Sequence, residues 1–127
     1  MFFKINTSNG VPVYEQVARQ IMFAVASGGL ESGEMVPSVR QMAKDLAINP
    51  NTVARAYRQL QDQGIVATVR GSGLEVTKGA SGKCKSARLR LIRERIKQVV
   101  IEARRSQMSD EEIRKIVSEQ LQNKNNK

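Results

Sequence analysis

Histidine is absent from the 127-residue chain, and cysteine occurs once, at Cys84. A lone thiol forms no internal disulfide. Without histidine, the common zinc patterns and the Ser-His and Cys-His catalytic arrangements are excluded. There is also no metal-ligand cluster and no phosphate-cradling glycine loop, so no catalytic residue, metal or cofactor is assigned. Aromatic residues make up only 4% of the sequence, which leaves an aliphatic core. No apolar run approaches the roughly 18 residues that a membrane-spanning helix needs. The opening stretch MFFKINTSNG has no sustained apolar segment of the secretory kind. The expected location is therefore the cytoplasm, with no membrane partner.

What the chain does have is positive charge. The formal net charge is +9, with 40% hydrophobic and 26% charged residues. That balance suits a folded protein with a polyanionic partner, most often nucleic acid. The charge is uneven. Up to Thr77 there are seven basic and six acidic residues; from Lys78 onward there are fourteen and six. A charge count alone would place nucleic-acid binding in the second half.

Periodicity divides the chain into elements. Tyr14, Val17, Ala18, Ile21 and Val25 form an apolar stripe on a helix starting near Pro12. Three glycines within residues 27–34 end it. Ser38 and Gln41 have the spacing of a capping box, and Val39, Met42, Ala43 and Leu46 give a short second helix its apolar face. A third helix begins with the cap Asn49 and Pro50 and ends at Gly64, a C′ glycine. The runs IVATV and LEVT then flank RGSG, which reads as a hairpin with a glycine-rich tip. A helix, a helix-turn-helix and a hairpin in that order make a winged helix-turn-helix over residues 1–77.

Residues 78–86, KGASGKCKS, read as a small, polar, basic linker, with Cys84 a bystander in it. Beyond it, Leu89, Ile92, Ile96, Val99 and Ala103 alternate in steps of three and four. Ser109 and Glu112 form a second capping box, and Ile113, Ile116, Val117 and Leu121 follow on one face. Two helices over residues 87–122 cannot bury both stripes on each other, so they need either the N-terminal domain or a second chain; the linker favours a second chain, and a homodimer is expected. Residues 123–127 are expected to be a disordered tail. The fold class is mainly α with a small β-hairpin: a winged helix-turn-helix followed by a two-helix dimerisation region.

The third helix carries the candidate chemistry. At about 100° per residue, Asn51, Arg55 and Arg58 share a stripe with Thr52 beside it, while Val53, Ala56 and Leu60 lie opposite. In a helix-turn-helix the start of the second helix enters the major groove of double-stranded DNA. There arginine pairs with guanine, asparagine with adenine, and threonine with a thymine methyl or a phosphate. Asn49 and Pro50 open the helix, whose free N–H groups suit a phosphate. Arg40, at the start of the preceding helix, suits a backbone or groove-edge contact. Arg70, Gly71 and Ser72 form a wing tip that admits close approach to the backbone or minor groove. Each has a plainer reading: a good helix start, a solvated arginine, a mere turn. It is their order along the chain that favours DNA.

The stretch from Pro12 to Val76 resembles the DNA-binding domain of the GntR family of bacterial transcription regulators. The resemblance rests on Pro37-Ser38-Val39-Arg40, Asn49-Pro50-Asn51-Thr52-Val53 and Arg70-Gly71-Ser72-Gly73. The short helical C-terminus looks like the YtrA-like subfamily, which lacks a large ligand-binding domain and dimerises through this region. The resemblance implies a homodimeric repressor on a palindromic operator, often autoregulating an operon with ABC transporter genes. It carries the family's DNA contacts onto Arg40, Asn49, Asn51, Thr52, Arg70 and Gly71. Three departures stand out. Ala47 replaces the usual turn glycine, Val36 the usual leucine, and Leu74-Glu75 the usual Thr-aromatic pair. A small-molecule effector is left open, since no residue pattern names one. The competing class is a winged-helix adaptor docking on an acidic protein. Steep loss of binding with salt marks the DNA reading.

Overall fold

The computed structural model describes residues 4–124. In chain order the elements are α1 (Val13–Ala26), α2 (Val39–Leu46), α3 (Pro50–Asp62), β1 (Val66–Val69), β2 (Gly73–Val76), α4 (Ala80–Arg105) and α5 (Asp110–Gln122). The chain forms two compact units, one ending at Leu89 and the other beginning at Arg90.

In the first unit, α3 packs against α1, α2 and β1. Val17, Ala18, Ile21 and Val25 of α1 are buried, as their spacing predicts, and Met42 and Ala43 of α2 join them. From α3 come Val53, Ala56, Tyr57 and Leu60. Among the described residues, Tyr57 is the one aromatic residue in the core, and no polar or charged residue is buried.

The capping chemistry is partly as the sequence suggests. Ser38 Oγ accepts the Gln41 N–H at 3.1 Å. The reciprocal half of the box is missing, because Gln41 Nε2 donates to Asp45 Oδ1 one turn on, at 2.7 Å. The turn between α2 and α3 runs through Ala47, which adopts the left-handed conformation itself (φ 54°, ψ 48°). Its N–H donates to the Lys44 carbonyl and the Ile48 N–H to the Ala43 carbonyl, closing α2. A methyl group in that conformation costs about 1–2 kcal/mol that glycine avoids.

The wing is more than a two-stranded ladder. β1 and β2 pair antiparallel with Val66 opposite Val76 and Val69 opposite Gly73. The segment before α2 adds a third edge. Gly33 N–H donates to the Val76 carbonyl, Val76 N–H to the Glu34 carbonyl and Val36 N–H to the Leu74 carbonyl, all within 2.9 Å. Glycine-rich composition hid this pairing in the sequence, where the stretch reads only as a break. Thr77 then ties the wing to the end of α3, its hydroxyl donating to the Gly64 carbonyl at 2.6 Å.

The expected linker at 78–86 is not one. After Gly79, α4 begins at Ala80 and runs without interruption to Arg105. Ala80, Cys84 and Ala87 are buried, at the i, i+4, i+7 spacing of a narrow stripe of small side chains. Small residues and lysines read as a flexible segment by composition, yet the same small residues permit close packing. Cys84 is thus a core residue, with burial pushing its thiol pKa up.

The second unit joins the rest of α4 to α5. Gln107 takes a positive φ in the turn, and Met108 N–H donates to the Ala103 carbonyl. Both halves of the Ser109–Glu112 capping box form. Arg104 Nε donates to Asp110 Oδ1 at 3.1 Å, and that bond holds the Asp110 carboxyl below its ordinary range. No α5 residue is buried. Asn123 still donates its N–H back to the Glu119 carbonyl, so the helical pairing reaches one residue into the expected tail. Residues 125–127 of that tail lie outside the described residues.

Ala47→Gly should raise the unfolding free energy by about 0.5–1 kcal/mol, relief of the left-handed strain being partly offset by a more flexible unfolded chain. Urea titration followed by circular dichroism measures it.

Candidate nucleic-acid interface

Two faces of α3 have opposite fates. Val53, Ala56 and Leu60 are fully buried. Asn51, Arg55 and Arg58 are exposed and Thr52 is half-buried. The apolar face is locked against α1 and α2, so rotation of α3 is fixed and the polar face is fixed with it.

The helix start is organised in detail. Asn49 Oδ1 accepts the Asn51 N–H at 2.8 Å, and Pro50 occupies the first turn. The cap uses the amide oxygen of Asn49, and Asn49 is exposed. Its amide nitrogen is a donor suited to a phosphate, at the positive end of the helix dipole. Arg40 is exposed in the first turn of α2.

Tyr57 couples these two elements. Its hydroxyl donates to the Pro37 carbonyl at 2.6 Å, just before the Ser38 cap of α2. Burial pushes the phenol pKa well up, so Tyr57 keeps its proton and acts as a fixed donor. Tyr57 falls at the i+4 position of the Val53, Ala56 and Leu60 stripe, so its burial follows from the spacing, while its hydrogen bond to the Pro37 carbonyl has no local sequence signal.

At the wing tip Arg70, Gly71 and Ser72 are all exposed. Ser72 N–H donates to the Val69 carbonyl at 2.9 Å, and Gly71 supplies the positive φ (80°) that the turn requires. Arg70 itself has a negative φ, so its side chain carries no backbone strain.

Arg55 has a partner the sequence did not reveal. Its guanidinium carbon lies 3.8 Å from the ring centroid of Tyr14 on α1. The sequence placed Tyr14 only on the apolar stripe of α1. A tyrosine at the polar margin of such a stripe could have been asked which cation it faces.

The remaining candidates lie on α4 and α5. Leu89, Ile92, Ile96, Val99, Ile116, Val117 and Leu121 are exposed, Leu121 by 82%. Ala103 and Ile113 are half-buried. Basic charge is also distributed differently from a division at Thr77. The unit ending at Leu89 holds eleven basic and six acidic residues, net +5, and the remainder holds ten and six, net +4. Among the described residues no group of three His, Cys, Asp or Glu side chains could hold a metal ion, and no helix is long and apolar enough to cross a membrane.

Residues 13–76 match the family described as "Bacterial regulatory proteins, gntR family". The chain belongs to the GntR family. It is 34% identical over 100 residues to the HTH-type transcriptional repressor YtrA of Bacillus subtilis (strain 168), covering 79% of this chain and 77% of that one. Its fold is similar to YtrA from Sulfolobus acidocaldarius, a GntR-family transcription factor (TM-score 0.59, 32% identity, 76% of this chain and 97% of that one). It is also similar to a Listeria monocytogenes EGD-e protein described as a transcriptional antiterminator (TM-score 0.68, 32% identity, 96% and 91%). As a GntR regulator the chain is a DNA-binding transcription regulator and not an enzyme.

Tyr57→Phe should cost about 1 kcal/mol of stability, because the Pro37 carbonyl loses its donor while the ring stays packed. A lower urea midpoint with an unchanged slope is the expected result.

Proposed function

We propose that this GntR regulator is a repressor that binds a palindromic operator as a homodimer, with α3 in the major groove. The observation that supports it best is the fixed, exposed polar face of α3. Asn51, Thr52 and Arg55 read base edges, and Arg58 reaches the flanking backbone. Arg40, Asn49 with Pro50, and the wing residues Arg70, Gly71 and Ser72 hold the phosphates and set the register. The likeness to the Bacillus subtilis YtrA repressor supports the sign of regulation.

The dimer is carried by the exposed apolar residues of α4 and α5. Seven large aliphatic side chains exposed to water are costly, since burying each of them contributes about 1.5–3 kcal/mol. A second copy supplies the same apolar side chains, and a two-fold pair of wings then faces a two-fold operator. The net +5 of the first unit also gives each wing its own attraction for phosphate, before dimerisation adds the rest.

Selection of bound duplexes from a random pool supplies the operator, and fluorescence anisotropy then measures affinity. Arg40→Ala should weaken operator and non-specific duplex about equally. Arg55→Ala should instead reduce discrimination at one base pair by about 1–3 kcal/mol. Equal losses on both duplexes for Arg55→Ala would sink the base-reading role. Ile96→Glu should convert the dimer to monomer in sedimentation equilibrium and lower operator affinity by about a hundredfold, through loss of avidity. A wild-type chain that sediments as a monomer at operator-saturating concentration refutes the dimer.

A further inference from the structure

We infer that Tyr14 of α1 is a positioning residue for base recognition by Arg55, although it lies outside the helix-turn-helix. The inference rests on the proposed reading of bases by Arg55 and adds to it. The guanidinium carbon of Arg55 sits 3.8 Å from the Tyr14 ring centroid, within cation–π range. Tyr14 is half-buried in the first turn of α1, so part of it is covered by the protein and part is open to Arg55. Arg55 is exposed, and among the described residues no acidic side chain pairs with it.

The geometry suits recognition because stacking and hydrogen bonding use different parts of the guanidinium. In a stacked pair the ring takes the flat face of the guanidinium. The N–H groups lie in its plane and remain available for the O6 and N7 of a guanine. An unsupported arginine would lose rotamer freedom on binding; a stacked one has lost part of it in the free protein. The contact therefore sharpens the one geometry that discriminates, and contributes little to general attraction for phosphate. Tyr14 is steadied in turn. Its hydroxyl makes a long 3.5 Å hydrogen bond to Glu15 Oε1, and Glu15 pairs with Arg19 at 3.6 Å. The hydroxyl bond is the weak part of this chain, so the ring carries the effect.

The test uses the full chain, the selected operator, and the operator changed at the base pair where Arg55→Ala loses discrimination. Tyr14→Leu should lower the preference for the operator about threefold to fivefold at that base pair. Tyr14→Phe, which keeps the ring, should restore it. In an Arg55→Ala background, Tyr14→Leu should cause no further loss of preference. Equal weakening of both duplexes by Tyr14→Leu, failure of phenylalanine to restore, or an undiminished effect without Arg55 would each overturn the inference. If Arg55→Ala leaves base preference intact, the base-reading role itself fails, which is a separate outcome. Should Tyr14→Leu not fold, proton NMR decides. The Arg55 side-chain methylenes should be shifted upfield by the ring in wild type and in Tyr14→Phe, and unshifted resonances in both refute the stack.

Discussion

Burial of one face of α3 is the interaction on which the rest depends. Val53, Ala56, Tyr57 and Leu60 enter the core together, against α1, α2 and β1. Each fully buried large aliphatic contributes about 1.5–3 kcal/mol, so the set fixes the rotation of the helix about its own axis. The polar residues then face outward by necessity. Asn51, Arg55 and Arg58 are exposed because their neighbours are not. A polar face made in this way is oriented by the core behind it. Tyr57 extends the same constraint to α2 through its bond to the Pro37 carbonyl, so Arg40 is placed relative to α3 rather than left on an independent helix.

The wing is held by similar means. Its ladder is short, and a two-stranded ribbon alone is marginal in water. The segment carrying Gly33 to Val36 covers the free edge of β2, and Thr77 ties the hairpin to the C-terminal end of α3. Arg70 and Gly71 therefore project from a braced tip. Counted by folded unit rather than by a division at Thr77, the positive charge is nearly even. Lys78, Lys83, Lys85 and Arg88 belong to the first unit, which is clearly basic as a result. The second unit keeps a positive surplus too, and affinity need not be assigned to one part of the chain alone.

The elements with strong periodicity and clear punctuation were legible in the sequence. α1, α2, α3 and α5 lie where their apolar spacing and caps put them, and the Asn49 and Ser109 caps form as their residue types suggest. Three features were not legible, each for a physical reason. The start of α4 has small residues and lysines, whose composition resembles a linker, while the decisive fact is that Ala80, Cys84 and Ala87 share a buried stripe. The third edge of the wing has no side-chain pattern, because its pairing is made by backbone groups around glycine. The stack of Arg55 on Tyr14 joins residues 41 positions apart on two helices, and no local pattern reports such a contact. Ala47 is the converse case. Alanine in place of glycine suggests an altered turn, yet the turn keeps its left-handed geometry and alanine bears the strain.

An NMR titration of the labelled full chain with its selected operator tests the central claim most directly, because α3 and the basic helix α4 compete for the same role. If the buried face of α3 presents a base-reading surface, the largest amide shifts fall on residues 49–58, with further shifts at Arg40 and residues 70–72. Shifts concentrated on residues 88–105, with α3 unmoved at saturation, would contradict the account.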